Sequence, residues 1–263
     1  MKQIKNLIKY LLSDFAIYKL SKIKNKIISR DIVLKEQKNI NIRKVFYSQF
    51  VKEGDLCFDV GANIGNRISP LLMLNAKIVA VEPQITCQKI LKAKFGNKIT
   101  LVPKGLGEKE EVRELYISND SVLSSFSKEW IDSVKARFNE SNWNTIEKVQ
   151  MTTLDKLIEN YGIPTFIKID VEGFEFEVLK GLTKSINMIS FEYCVPENTG
   201  KAIACIKRLT FINKNIECNY SINESMEFVS NNWITTDEMI NILNSQQLIE
   251  SEFGDIYIRS CKI

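Results

Sequence analysis

An apolar run, Leu56 to Val60, stops at a glycine within Phe58-Asp59-Val60-Gly61-Ala62-Asn63-Ile64-Gly65, and twenty-one residues beyond Gly61 the next apolar run ends in Val81-Glu82-Pro83. A buried strand that breaks at glycine, a helical stretch, and a second strand carrying an acid at its tip predict a parallel α/β unit with a nucleoside crevice at the strand ends. Gly61 permits the sharp turn and close approach of a ligand, and Gly65 permits close packing of helix on strand. A dinucleotide fingerprint places a second glycine where this chain has Asn63, so a pyrophosphate is disfavoured and a nucleoside without phosphates suits the turn. Glu82 can accept hydrogen bonds from both hydroxyls of a ribose and would repel a 2′-phosphate. S-adenosylmethionine fits best: its carboxylate suits the helix terminus, its ribose suits Glu82, and its sulfonium and amino group suit Asp59 and neighbouring acids.

The alternation continues along the chain. Strands are expected at Leu56 to Val60, Lys77 to Val81, Ile99 to Val102, Phe166 to Asp170, Ile186 to Glu192 and Asp255 to Arg259. Helices are expected near Ile68 to Leu74, Gln84 to Phe95, Glu175 to Leu182 and Lys201 to Phe211, with another begun by Thr235/Thr236 ahead of Met239, Ile240 and Leu243. This predicts a mostly parallel sheet with helices on both faces. Residues 107 to 153 are too long for a plain loop, so they are expected to form a cap insertion with a strand at Val112 to Ile117 and a helix carrying Trp130, Ile131, Val134 and Phe138.

The chain has no histidine among its 263 residues, which removes Ser-His-Asp and Cys-His triads and every histidine base. Acid-base work then falls to carboxylates first. Phe166-Ile167-Lys168-Ile169-Asp170-Val171-Glu172-Gly173-Phe174-Glu175 is a second apolar strand running into a turn and helix. Asp170 and Glu172 differ by two, so extended geometry would aim both at the crevice, Asp170 as base on an acceptor hydroxyl and Glu172 orienting it. Glu192 at the next strand tip leaves a divalent cation open, without requiring one. Glu175 and Glu177 read as first-turn helix acids, Lys168 as facing the sheet, and Tyr193 as packing. Phe126, Trp130, Trp143 and Trp233 could stack on a sugar or fill a core. Asn119, Asp120, Ser121, Ser124 and Ser125 read as an acceptor site or an ordinary turn.

The six cysteines never approach a CxxC spacing, so reduced core thiols are expected and structural zinc is not. Residues 1 to 52 hold thirteen Lys/Arg against Asp14, Asp31 and Glu36, whereas the rest of the chain has more acids than bases. Within this basic stretch Ile4, Leu7, Ile8, Leu11, Leu12 and Phe15 fall on one helical face. Residues 1 to 38 therefore read as a basic amphipathic arm and 39 to 263 as the main domain. Docking of the arm on the domain or a partner subunit is preferred over an anionic membrane surface, with a peripheral membrane or glycosyltransferase contact left open. No spanning helix or secretory signal is read, so the expected location is cytoplasmic, with peripheral attachment at the inner face of the membrane as the alternative.

Asp59 to Gly65, the acid of Val81-Glu82-Pro83, Thr153-Leu154-Asp155, Ile167 to Glu175 with Leu179-Lys180-Gly181, and Gly254-Asp255-Ile256-Tyr257 together resemble the FkbM-type methyltransferases over roughly residues 45 to 260. The resemblance implies a class I, Rossmann-like methyltransferase with a seven-stranded sheet, using S-adenosylmethionine to methylate oxygen atoms of sugars or polyketide-like products, often in polysaccharide or glycolipid assembly. By matching position it makes Asp59, Gly61, Ala62, Asn63, Gly65 and Glu82 cofactor contacts and puts Asp170 and Glu172 at the catalytic face. Lys104-Gly105-Leu106-Gly107-Glu108 departs from the family's usual Ala-Leu-Gly-Asp, and the basic arm has no counterpart. The alternatives are a non-catalytic scaffold of the same fold and methylation of a small natural product. Nucleic acid is disfavoured, because the acidic Asp170-Val171-Glu172-Gly173 run stands where base-methylating enzymes carry an Asn/Asp-Pro-Pro-aromatic run.

Overall fold

Two-residue periodicity in the apolar runs divides the interior into two cores, one on each face of a sheet. Phe58, Val60, Val79, Val81, Ile167 and Ile169 enter one, and Cys57, Ile78, Ala80 and Phe166 the other, as alternate side chains of a pleated strand must. The computed structural model describes residues 30 to 261. These form ten strands: β1 (Leu56–Val60), β2 (Lys77–Val81), β3 (Thr100–Val102), β4 (Gly105–Leu106), β5 (Val112–Ile117), β6 (Thr145–Thr152), β7 (Phe166–Ile169), β8 (Met188–Cys194), β9 (Ile216–Ile222) and β10 (Phe253–Ser260). Seven make one sheet in the order β3-β2-β1-β7-β8-β10-β9. Contacts among β3, β2, β1, β7 and β8 are parallel, and β10 runs antiparallel between β8 and β9. The chain order reverses between β1 and β7, which places a crevice at their carboxyl ends.

The expected elements differ mainly at their ends. The strand read at Ile186 to Glu192 lies at Met188–Cys194, in register from Phe166↔Met188 to Ile169↔Phe191. The edge strand β9 and the insertion strand β6, unanticipated, alternate apolar with polar residues and lack flanking Gly or Pro punctuation. The helix at Thr236–Leu243 begins with the expected cap: Thr235 Oγ1 accepts from the Glu238 amide at 3.2 Å, and the Glu238 carboxylate accepts from the Thr235 amide at 2.8 Å.

Between β3 and β7, the strands β4, β6 and β5 form a small sheet, with a helix at Lys128–Val134 beside it. Trp130, Ile131 and Val134 pack with Leu123 and Cys194, and Trp143 Nε1 donates to the Leu123 carbonyl at 2.6 Å. Trp130 is therefore core, and Trp143 is half-buried against the same cluster. At the other end, the helix Arg30–Tyr47 runs across residue 38, and its last turn buries Phe46 and Tyr47 against Phe166 and Tyr257. The amphipathic pattern from Ile4 to Phe15 lies outside the described residues. Five cysteines are buried and free, Cys261 is free and half-buried, and no helix among the described residues is long and apolar enough to cross a membrane.

Candidate active site

Three turns converge at the crevice, one each after β1, β2 and β7. After β1 the chain does not re-enter a helix directly: residues 61 to 67 form a turn, and the helix Ile68–Leu72 is only five residues long. A helix dipole therefore contributes less at this end than the sequence suggests. Gly61 has φ +82°, and a Cβ there would lie 1.8 Å from the Asp170 carbonyl oxygen, so its backbone abuts the β7 turn. Gly65, also at φ +82°, meets the Phe95 ring at 2.4 Å from its would-be Cβ; it serves helix packing, not the expected helix on strand. Asn63 sits at φ 46°, a left-handed conformation that asparagine tolerates better than most residues.

Glu82 leaves the tip of β2 and is 2% exposed. Its carboxylate accepts from the Asn63 amide and the Gln84 amide, each at 2.7 Å, so two backbone donors fix its orientation and tie the β1 turn to the β2 turn. Burial raises its pKa to about 7 against the lowering effect of those two donors. Asn63 Oδ1 is buried without a hydrogen-bond partner, an acceptor free for a ligand's N–H or O–H.

The β7 turn is held by Glu175. Its Oε1 accepts from the amides of Val171 and Gly173, both at 3.2 Å, while Glu172 takes φ 53° and Gly173 φ 80°. A Cβ on Gly173 would meet Trp130 at 2.3 Å, which explains the glycine by packing. Extended geometry thus ends at Ile169, and the turn, not the pleat, brings the acids together. One oxygen each from Asp170, Glu172 and Glu192 lies within 4.8 Å of the other two. Lys168, its side chain 3% exposed, pairs directly with the Asp170 carboxylate. A cation could bridge three such oxygens, but a buried ammonium already neutralises one of them.

These charges sort the acids. Burial would raise Asp170, yet the Lys168 ammonium and Arg67 outweigh it and hold the carboxyl below its ordinary value. Glu172 and Glu192 move the other way, well above the usual glutamate range, through burial and then the negative charge of Asp170. Asp59, 2% exposed, is raised to about 6 by burial despite Lys168, and its Oδ2 has no partner.

Residues 121 to 125 reach across one side of the crevice. The turn Ser121–Leu123 and the residues after it bond to all three rims: Asn63 Nδ2 donates to Ser121 Oγ at 3.4 Å, Gln84 Nε2 to the Ser121 carbonyl at 3.0 Å, Ser124 Oγ to Gln84 Oε1 at 3.1 Å, and Ser125 Oγ to the Glu172 carbonyl at 2.6 Å. The partly open cleft has a volume of about 80 Å³, less than the ~300 Å³ typical of a site for a drug-sized ligand.

Gly61, Asn63, Glu82, Asp170 and Glu172 line this cleft together with Lys104, Gly105 and Phe126. Ala62 and Gly65 are placed beside it, and Asp59 lies within β1 beneath it, next to Lys168 in register. The polar cluster from Asn119 to Ser125 proves to be the strap. Sequence reasoning missed Lys168 as the partner of Asp170 and Gln84 as the latch for the strap. A lysine inside an otherwise apolar strand was the available signal for the first.

A doubly covered sheet with its reversal at β1, a glycine turn and an acid at the tip of β2 together define the class I methyltransferase fold. The family model described as the methyltransferase FkbM domain matches residues 59 to 246, and the chain belongs to that family. It is 28% identical over 145 residues to the hexuronic acid methyltransferase AglP of Haloferax volcanii, a match covering 53% of this chain and 55% of that protein. The chain thus matches about half the length of this curated relative. Among solved structures, it resembles the precorrin-6y C5,15-methyltransferase of Geobacter metallireducens at 12% identity and a TM-score of 0.44, covering 83% of this chain and 86% of that one. It also resembles Aeropyrum pernix fibrillarin bound to S-adenosyl-L-methionine at 12% identity and a TM-score of 0.42, covering 80% and 68%.

Proposed function

We propose that this protein transfers the methyl group of S-adenosylmethionine to a hydroxyl oxygen of a sugar within a polysaccharide or glycolipid. The observation that carries the reading is the pairing across one cleft of a ribose-competent acid, Glu82, with the Asp170 and Glu172 carboxylates. Two features support the donor: Glu82 is pre-oriented by two amides and Asn63 Oδ1 has no partner, while the small volume of the cleft requires it to open when the donor enters. The partial match to a hexuronic acid methyltransferase supports a sugar acceptor.

In this reading, residues 107 to 153 form the cap that selects the acceptor, and the carboxylates of the β7 turn orient its hydroxyl for in-line attack on the methyl carbon. Holding the reacting atoms about 3 to 3.5 Å apart supplies much of the rate through entropy, and removal of the hydroxyl proton adds about 10²- to 10⁴-fold. The test is incubation of full-length protein with methyl-labelled S-adenosylmethionine and pools of cell-envelope glycan and glycolipid. Label is expected in an alkali-stable methyl ether on a sugar ring. Label confined to protein, nucleic acid or a non-carbohydrate product would overturn the assignment.

A further inference from the structure

Asp170 and Glu172 line the cleft and Glu192 brings a carboxylate oxygen within 4.8 Å of both, but only one cation is committed to the three. Lys168 pairs with Asp170, and among the described residues no donor is hydrogen-bonded to the carboxylate of Glu172 or Glu192. Arg137 is engaged with Glu197 at 2.9 Å, and Lys201 with Glu129 at 3.1 Å and the Gly173 carbonyl at 3.3 Å; Lys104 lines the cleft but forms no ion pair with either glutamate.

We propose that Glu172 and Glu192 hold one proton between them and that this pair, rather than Asp170, takes the hydroxyl proton of the acceptor. The inference rests on the methyltransferase reading above and names the group that serves it. Geometry carries the argument. Oxygens of the three acids lie within 4.8 Å of one another, a separation at which one ionised carboxylate without a counter-charge strongly favours the protonated form of its half-buried neighbour. Asp170 has its counter-charge in Lys168, so the proton belongs to the other two.

The surrounding charges reinforce this. Glu172 faces Asp170 and Glu175 from its own turn, Lys168 from β7 and Asp120 from the strap. Glu192 faces Asp170, Glu172 and Glu175 from the β7 turn and helix, and Asp255 from β10. Apart from Lys168 these are acids, and both glutamates are accordingly held above their ordinary range. Asp170, pulled down by Lys168 and Arg67, is a weak proton acceptor at neutral pH and a fixed negative charge beside the reacting centre.

The step balances. As the acceptor oxygen bonds to the methyl carbon, the electron pair of the carbon–sulfur bond returns to sulfur, leaving a neutral thioether. The hydroxyl proton passes to the ionised member of the Glu172/Glu192 pair, and the doubly protonated pair then loses one proton to solvent.

The experiment is a carboxyl ¹³C NMR titration of full-length protein labelled at glutamate side chains, with and without S-adenosylmethionine and with and without magnesium. The Glu172 and Glu192 signals, assigned with Glu172→Gln and Glu192→Gln, are expected to move together at a midpoint well above the ordinary value of ~4.3. In Glu192→Gln the Glu172 midpoint is expected to fall toward that value, and the converse in Glu172→Gln keeps the test available should one variant fold poorly. The kcat/KM for the glycan pool that accepts label should rise with pH as the doubly protonated pair loses its first proton, below the midpoint at which the shared proton leaves, and Glu172→Gln should lower it by about 10²-fold or more. Independent titrations in the ordinary glutamate range would overturn the proposal. So would a midpoint that collapses in millimolar magnesium, because the acids would then be serving a metal ion. If S-adenosylmethionine fails to bind while the shared titration persists, the methyltransferase reading fails instead.

Discussion

The carbonyl oxygen of Asp170 occupies the space a side chain on Gly61 would need, 1.8 Å from its would-be Cβ. The turns after β1 and β7 are therefore one backbone unit. Gly61→Ala must push them apart and also strain a φ of +82°. We expect it to cost about 2 to 5 kcal/mol in urea unfolding, the sum of overpacking and left-handed strain. A change within ~0.5 kcal/mol would show that the turns are not tied in this way.

Lys168→Met should leave Asp170, Asp59 and Asp255 without their shared cation. Removing one partner of a buried pair costs about 3 to 5 kcal/mol; the partial exposure of Asp170, 29% at its side chain, puts the expectation at the lower end. The loss should be larger at pH 7 than at pH 5, where orphaned acids can take up protons. Urea curves at the two pH values check this, and an equal loss at both would contradict it.

Asp59 is held at about 6 in the folded chain against 3.8 unperturbed. Between these values the native state keeps a proton that the unfolded state has released, so stability falls as pH rises through this window. Asp59→Asn cannot ionise and should flatten the slope, by about 2 to 3 kcal/mol between pH 4 and pH 7 at about 1.36 kcal/mol per pKa unit. Thermal melts of parent and variant across that range would reveal it; parallel curves would count against it.

The strap from Ser121 to Ser125 is latched to Gln84 through two hydrogen bonds. Gln84→Ala removes both, each contributing about 0.5 to 1.5 kcal/mol, and should speed S-adenosylmethionine association and dissociation about tenfold in stopped-flow fluorescence. Unaltered rates would mean that the strap does not control entry.

Much of this arrangement was legible before the fold was seen, for a local reason. Strands covered on both faces read as apolar runs, and Gly61, Glu82 and Asp170 stand at their ends, so the three turns could be located from punctuation alone. What was hidden depends on partners far apart in sequence. Asp170 and Glu172 were expected to converge through the pleat, whereas Glu175 cinches a left-handed turn that gathers them with Glu192. Lys168 looked like a sheet-facing residue because nothing local shows where an ammonium on β7 will end. The strap's attachment to Gln84 spans nearly forty residues, and β9 pairs along its length with β10 more than thirty residues later. Gly61 and Gly173 were glycines for backbone and tryptophan neighbours, contacts that only the assembled turns reveal.

The central claim is that the cleft between the β1, β2 and β7 turns receives S-adenosylmethionine through Glu82. Isothermal titration of full-length protein with the donor tests it most directly, alongside Glu82→Ala shown to be folded by circular dichroism. One-to-one binding to the parent and at least tenfold weaker binding to the variant are expected, the loss of charge-assisted hydrogen bonds worth about 1.5 to 3 kcal/mol. No heat from the folded parent, or equal affinity in the two proteins, would contradict it.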